Sequence, residues 1–217
     1  MNIVSQLYDF LAGPCLYLTF PLCAAGLLRK ALIITAGREF GLRFPGVQRG
    51  DLPAAWIERD CIAPVITFAG RSPLFAAVSA MFHISIFAAP LTARAHGILL
   101  DLAWGVLPPR INPSVTGVFT AAAVISGLFL VMRRTFVSRV LAVSSWRDYA
   151  AMICVLLPFV TGLLARESIG NYEIIMLIHC AAAHVLLLAI GWTRLGHMVF
   201  FIAGRVAAPV FTSGSGE

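Results

Sequence analysis

Charge is what this sequence lacks. Only 12% of its residues are charged against 59% hydrophobic, and the mean hydropathy is +0.89. A soluble domain carries about a quarter charged residues, so too little polar side chain is present to cover a globule in water. That excludes an ordinary soluble enzyme, a disordered chain and a disulfide-rich secreted domain, and leaves an integral membrane protein. Lysine is nearly absent, with Lys30 the sole one among sixteen basic residues. The five cysteines (Cys15, Cys23, Cys61, Cys154 and Cys180) form no CxxC pair, and most lie in apolar stretches, where they read as free buried thiols. Without CxxC the chain holds no iron–sulfur or zinc site of its own. Without CxxCH it offers no attachment for a c-type haem. Nucleophile–base constellations, phosphate loops and carboxylate clusters are missing too, so the chain is no catalyst alone.

Long apolar runs are what it has. Five are long enough to cross a bilayer, which takes about 20 helical residues. They run over Tyr8 to Leu28, Pro73 to Leu100 (broken by Pro90 and Arg94), Pro113 to Met132, Tyr149 to Leu164, and Ile174 to Phe201. The fourth is short, and Pro158 and Gly162 predict a kink there. The expected fold is all-α, a bundle of five transmembrane helices in one membrane domain over residues 1–205. A loop over about 29–72 and a flexible tail over 206–217 complete it. In that loop, Asp51 to Asp60 reads as a short helix opened by Asp51. It serves either as a docking surface for a cytoplasmic partner or as an interfacial helix on the lipid.

The basic residues set the expected orientation. Arg29, Lys30, Arg38, Arg43, Arg49, Arg59, Arg71, Arg133, Arg134, Arg139, Arg147, Arg194 and Arg205 fall on one side, and Arg94, Arg110 and Arg166 on the other. The positive-inside rule then places the N-terminus outside and the C-terminus in the cytoplasm. The first apolar run has no basic residue before it, so it reads as an uncleaved first helix rather than a signal peptide. Bases clustered between apolar runs suit the headgroups of a lipid bilayer, and nucleic acid is a poor explanation for them.

The five histidines are His83, His96, His179, His184 and His197, all within the second and fifth apolar stretches. An ionisable side chain inside a span is a functional candidate. Imidazole is the usual neutral ligand for haem iron, and a six-coordinate haem takes two from opposite faces. Two helices with two histidines each can hold two haem b groups, stacked across the membrane. Chain direction pairs His83 with His197 on the inner side, and His96 with His179 or His184 on the outer. His179 and His197 are eighteen positions apart, about five whole turns, which puts them on one helix face and favours His179. Rise points the other way. His83 to His96 spans about 20 Å of helix, as does His184 to His197, while His179 to His197 spans about 27 Å. Arg94 and Arg194 stand two and three positions from His96 and His197, and are candidate haem-propionate partners. A quinone site beside the outer haem would draw on Arg94, Asp101 and Trp104.

The segments Leu177 to His179 and Thr193 to Met198 resemble the last helix of the respiratory nitrate reductase gamma subunit, a five-helix dihaem cytochrome b. Met81 to Ser85 resembles its first ligand helix, Arg133 to Val140 its basic loop, and Asp148 to Leu164 its fourth helix. In that family the second-helix histidines are closer together, and the matching position here is Ala93. The stretch His83 to His96, followed by Trp104 to Pro109, is instead similar to the membrane anchor subunits of sulfate-reducer redox complexes. These are the Tmc, Hmc and Dsr types. The resemblance implies an electron-carrying subunit of the bacterial inner membrane, joining the quinone pool (menaquinone being the candidate) or periplasmic multihaem cytochromes c to a cytoplasmic iron–sulfur subunit. The competing reading is a haem-free membrane anchor, or a transporter whose histidines line a proton or metal path.

Overall fold

The computed structural model describes residues 3–39, 72–106 and 111–199. The short helix expected over Asp51 to Asp60, and the tail over 206–217, lie outside the described residues. The chain is all-α, with no strand among those residues: α1 is Ile3–Ala12, α2 Pro14–Glu39, α3 Pro73–Thr92, α4 Arg94–Trp104, α5 Pro113–Phe136, α6 Ser138–Leu141, α7 Trp146–Arg166 and α8 Tyr172–Trp192. A 3-10 turn over Arg194–Gly196 follows. Among the described residues five segments are long and apolar enough to cross a membrane, namely Ile3–Leu32 and the helices α3, α5, α7 and α8. This is a multi-pass membrane protein.

In hydrocarbon every backbone amide and carbonyl must find a partner inside the protein, which is why apolar runs of this length become helices. Large apolar side chains such as Ile84, Ile125, Ile153 and Val185 point outward on the spans, where a lipid phase would receive them.

The described residues divide into two units. One gathers those up to Leu22 with Val78 to Leu188, and the other gathers those from Cys23 to Ala77 with those from Ala189 onward. In the first, α5 packs closely along α7, and α3 joins them at a point of small residues. A Cβ on Gly127 of α5 would fall 2.3 Å from Leu156 Cδ2 and 3.0 Å from Phe82 Cε2. Ser85 and Ser126 are fully buried nearby in sequence, and small side chains of this kind let membrane helices approach. Short connections hold the antiparallel neighbours. Asn112 caps α5, its Oδ1 accepting from Ser114 N at 2.9 Å, with Pro113 in the first helical position. Ser145 N donates to Asp148 Oδ2 at 2.7 Å at the start of α7, and Arg134 pairs with the same carboxylate at 3.3 Å. Arg166 lies across Gly117 and donates to the Pro113 carbonyl at 2.7 Å, tying the end of α7 to the start of α5.

In the second unit, α2 meets the end of α8 backbone to backbone. A Cβ on Gly26 would stand 2.7 Å from the Gly191 carbonyl group, and one on Gly191 2.9 Å from the Cys23 carbonyl oxygen.

Several helices differ in extent from the sequence expectation. The first apolar run holds two helices with a turn at Gly13, and α2 continues to Glu39, past the basic pair where the loop was expected to begin. The fourth span is a full 21 residues and runs unbroken through Pro158. The second run breaks at Ala93, whose backbone is extended (φ −71°, ψ 118°). Pro90 lacks the amide that would continue the ladder, and the chain leaves the helix three residues later. The fifth run ends at Trp192, and Thr193 is extended (φ −114°, ψ −179°) before the 3-10 turn. His179 and His197 therefore do not lie on one continuous helix. A count of five whole turns over eighteen residues on a single face does not apply to them. Nor does a straight-helix rise apply between His83 and His96.

Each of these breaks releases backbone carbonyls that cannot be left bare in a membrane. In each case a side chain from elsewhere takes one. His184 Nε2 donates to the Leu11 carbonyl at 2.9 Å, in the last turn of α1. Thr116 Oγ1 donates to the Thr92 carbonyl at 2.8 Å at the end of α3. Lys30 Nζ donates to the Ile190 carbonyl at 3.1 Å and to the Thr193 carbonyl at the end of α8.

Candidate functional site

The first unit brings His96 of α4 and His179 of α8 together. Their ring centroids are 5.9 Å apart and the ring planes differ by 17°. The break at Ala93 sets the first ring. It frees the Pro90 carbonyl from an amide partner, and His96 Nδ1 donates to that oxygen at 3.1 Å. His179 Nδ1 donates to the Pro158 carbonyl at 2.9 Å, and Thr161 Oγ1 stands 3.2 Å from the same nitrogen. Thr161 is buried and sends its own proton to the Leu157 carbonyl at 2.8 Å, so its oxygen is the acceptor toward the imidazole. Gly162 makes room for the ring: a Cβ there would lie 3.1 Å from His179 Cε1.

A carbonyl can only accept, so both imidazoles carry their proton on Nδ1. Neither Nε2 has a hydrogen bond among the described residues. This is the tautomer a metal-bound histidine adopts, with the far ring nitrogen fixed by an outer acceptor and the near one presented as a lone pair. Imidazole nitrogens sit about 2 Å from a first-row metal, with ring centres about 1 Å behind them, so two rings on opposite sides of one ion stand about 6 Å apart. The two rings are stacked at 5.9 Å, and their shared tautomer leaves both Nε2 lone pairs open to a metal or a haem iron.

His83 and His197 share the Nδ1 contact with a backbone carbonyl. His83 Nδ1 bonds the Ser79 carbonyl at 2.7 Å, one turn back along α3, and His197 Nδ1 bonds the Arg194 carbonyl at 2.9 Å within the 3-10 turn. His83 belongs to the first unit and His197 to the second. His184 breaks the pattern. Its Nε2 is the nitrogen that donates, its Nδ1 is buried without a partner among the described residues, and the residue is 8% exposed. The structure thus places His179 opposite His96 and leaves His184 as a contact between α8 and α1.

Arg94 opens α4, two residues before His96, and Arg194 begins the 3-10 turn; both are exposed. Of the residues considered for a quinone, Asp101 is exposed and its backbone carbonyl accepts from Gly105 N at 2.8 Å. Trp104 packs edge-on against Tyr17 at 5.8 Å and Phe20 at 4.8 Å, and the Tyr17 hydroxyl reaches the Ala103 carbonyl at 3.3 Å. Ala93, where the nitrate reductase gamma pattern has a histidine, is the residue at the break. No group of three or more His, Cys, Asp or Glu gathers among the described residues, whereas a b-type haem asks only two axial ligands of its protein.

Residue reading alone missed Thr161, Lys30, and the acceptor roles of the Pro90 and Pro158 carbonyls. Pro90, Pro158 and Gly162 stand out in apolar runs as helix-disturbing residues, and were expected only to kink them. Lys30 carries a signal of its own as the one lysine in the chain.

No known protein family matches this sequence, and no solved structure matches it. A protein of Nitratidesulfovibrio vulgaris (strain Hildenborough) is 27% identical over 204 residues, covering 92% of this chain and 90% of that one. Its name is simply "Protein".

Proposed function

We propose that this chain is a dihaem cytochrome b, the membrane subunit of a respiratory redox complex of the nitrate reductase gamma-like superfamily. Its nearest likeness is to the Tmc, Hmc and Dsr membrane anchors. The function follows from that reading: electrons pass across the bacterial inner membrane between the quinone pool or periplasmic cytochromes c and a cytoplasmic iron–sulfur subunit. The N-terminus lies outside and the C-terminus in the cytoplasm, from the distribution of bases. The single observation that carries the reading is the His96–His179 pair, with parallel rings 5.9 Å apart and both protons on Nδ1. The full-length similarity to a protein of a sulfate reducer supports the choice of branch.

His96 and His179 would hold the outer haem; for the inner one the direction of the chain offers His83 and His197 as ligands. Bound there, haem supplies reversible one-electron chemistry. The chain's own part is to fix the ligands. The Pro90 and Pro158 carbonyls hold each imidazole proton on Nδ1, and this raises the basicity of the opposite nitrogen. The break at Ala93 orients one ring, and the gap over Gly162 admits the other. Arg94 and Arg194 would neutralise propionates at the two ends.

The test is the haem content of purified protein. A pyridine haemochrome assay should give two protohaems per chain. A yield of none, or clearly one, would overturn the proposal in this form and turn attention to a haem-free anchor.

A further inference from the structure

Lys30 is the only lysine in the chain, and it is engaged at the point where α8 stops. Its ammonium donates to the Ile190 carbonyl at 3.1 Å and to the Thr193 carbonyl. A Cβ on Gly196 would stand 2.9 Å from the Ile190 carbonyl oxygen and 2.6 Å from Lys30 Nζ, so the glycine keeps the space between the accepted carbonyl and the lysine open. The same turn is closed from within, Thr193 Oγ1 accepting from Leu195 N at 3.2 Å and the Thr193 carbonyl from Gly196 N at 3.2 Å. The next residue is His197, whose Nδ1 rests on the Arg194 carbonyl of that turn. Leu195 and Gly196 are buried, while Arg194 and His197 are exposed.

We infer that Lys30 is a positioning residue for His197. It clamps the released carbonyls at the end of α8, and by doing so fixes the turn that aims the imidazole and its acceptor. A cation suits the place, since the end of a helix carries partial negative charge on its unpaired carbonyls. The packing of Gly26 and Gly191 brings α2 close enough to α8 for the lysine to reach. This inference rests on the haem reading of His197 and adds the device that orients that ligand.

The experiment compares Lys30→Met, Lys30→Arg and His197→Ala in the full chain, purified in detergent. Readouts are haem per chain, low-temperature absorption, and low-spin electron paramagnetic resonance, which senses the relative orientation of the two axial imidazoles. Lys30→Met should keep the haem of His96 and His179 unchanged, which also reports that the chain has folded. It should lose the haem assigned to His197, with a ratio falling from two toward one, or shift that haem's resonance. Lys30→Arg, which keeps charge and donors, should restore the unaltered signal. If His197→Ala loses one haem while Lys30→Met matches the unaltered protein in all three readouts, the role of Lys30 is wrong and the haem reading stands. Loss of both haems together in Lys30→Met also refutes a role specific to His197. If His197→Ala itself changes nothing, the failure lies in the assignment of His197 as a ligand.

Discussion

The two histidines of α8 should separate by substitution, because the structure gives them opposite tautomers and different neighbours. His184→Ala removes the Nε2–H bond to the Leu11 carbonyl and leaves that part-buried oxygen without its donor. It also empties the space of a ring that is 8% exposed. Leaving a buried carbonyl unsatisfied costs about 1–3 kcal/mol, although hydrogen bonds between membrane helices measure at about 0.6 on average and 1.7 at most. With the cavity added, the expected loss is about 2–4 kcal/mol, without loss of haem. His184→Gln, which keeps an N–H donor, should recover part of it. His179→Ala takes away one of the two imidazoles that stand 5.9 Å apart, and should bring the haem ratio from two to one. The assay is the haem-to-protein ratio of each variant, read beside its thermal unfolding in detergent. A His184→Ala protein with one haem, next to a His179→Ala protein with two, would refute the reasoning from tautomer and ring geometry. The choice by helix rise would then be the right one.

Three further outcomes are expected. Gly26→Ala and Gly191→Ala press a Cβ into backbone at 2.7–3.0 Å and should destabilise by about 1–3 kcal/mol in a detergent melt. Gly117→Ala meets the end of the flexible Arg166 side chain rather than backbone, so it should cost less, at most the Arg166 bond to the Pro113 carbonyl; equal losses at the three sites would contradict the packing described. Arg134→Met removes a partly exposed ion pair with Asp148 and should cost about 1 kcal/mol or less, diminishing with added salt in the same melt. A C-terminal green fluorescent protein fusion should fluoresce while an alkaline phosphatase fusion at the same point stays inactive. The reverse pattern would invert the membrane orientation and exchange the inner and outer labels of the haems.

The sequence alone sufficed for the class of fold and for naming the histidines as candidates. A span is a local property. An apolar run of about 20 residues satisfies its backbone by becoming a helix whatever its neighbours do, so five runs predicted five spans. Histidines inside such runs are rare enough to name themselves. What needed the tertiary structure was the aim of each ring. Helix phase favoured His179 by counting turns to His197, but α8 ends at Trp192, and the face that the count relied on does not exist. His179 faces His96 for reasons that lie elsewhere in the chain: a break at Ala93, a bare Gly162, and carbonyls at Pro90 and Pro158. The same holds for the breaks themselves. Proline and glycine mark where a helix can be interrupted, but an interruption survives in a membrane only where a donor arrives to take the freed carbonyl. Those donors are His184 for Leu11, Thr116 for Thr92 and Lys30 for Ile190. Two of the three are separated by more than 150 residues from the oxygen they serve, a distance over which no local pattern of residues carries information.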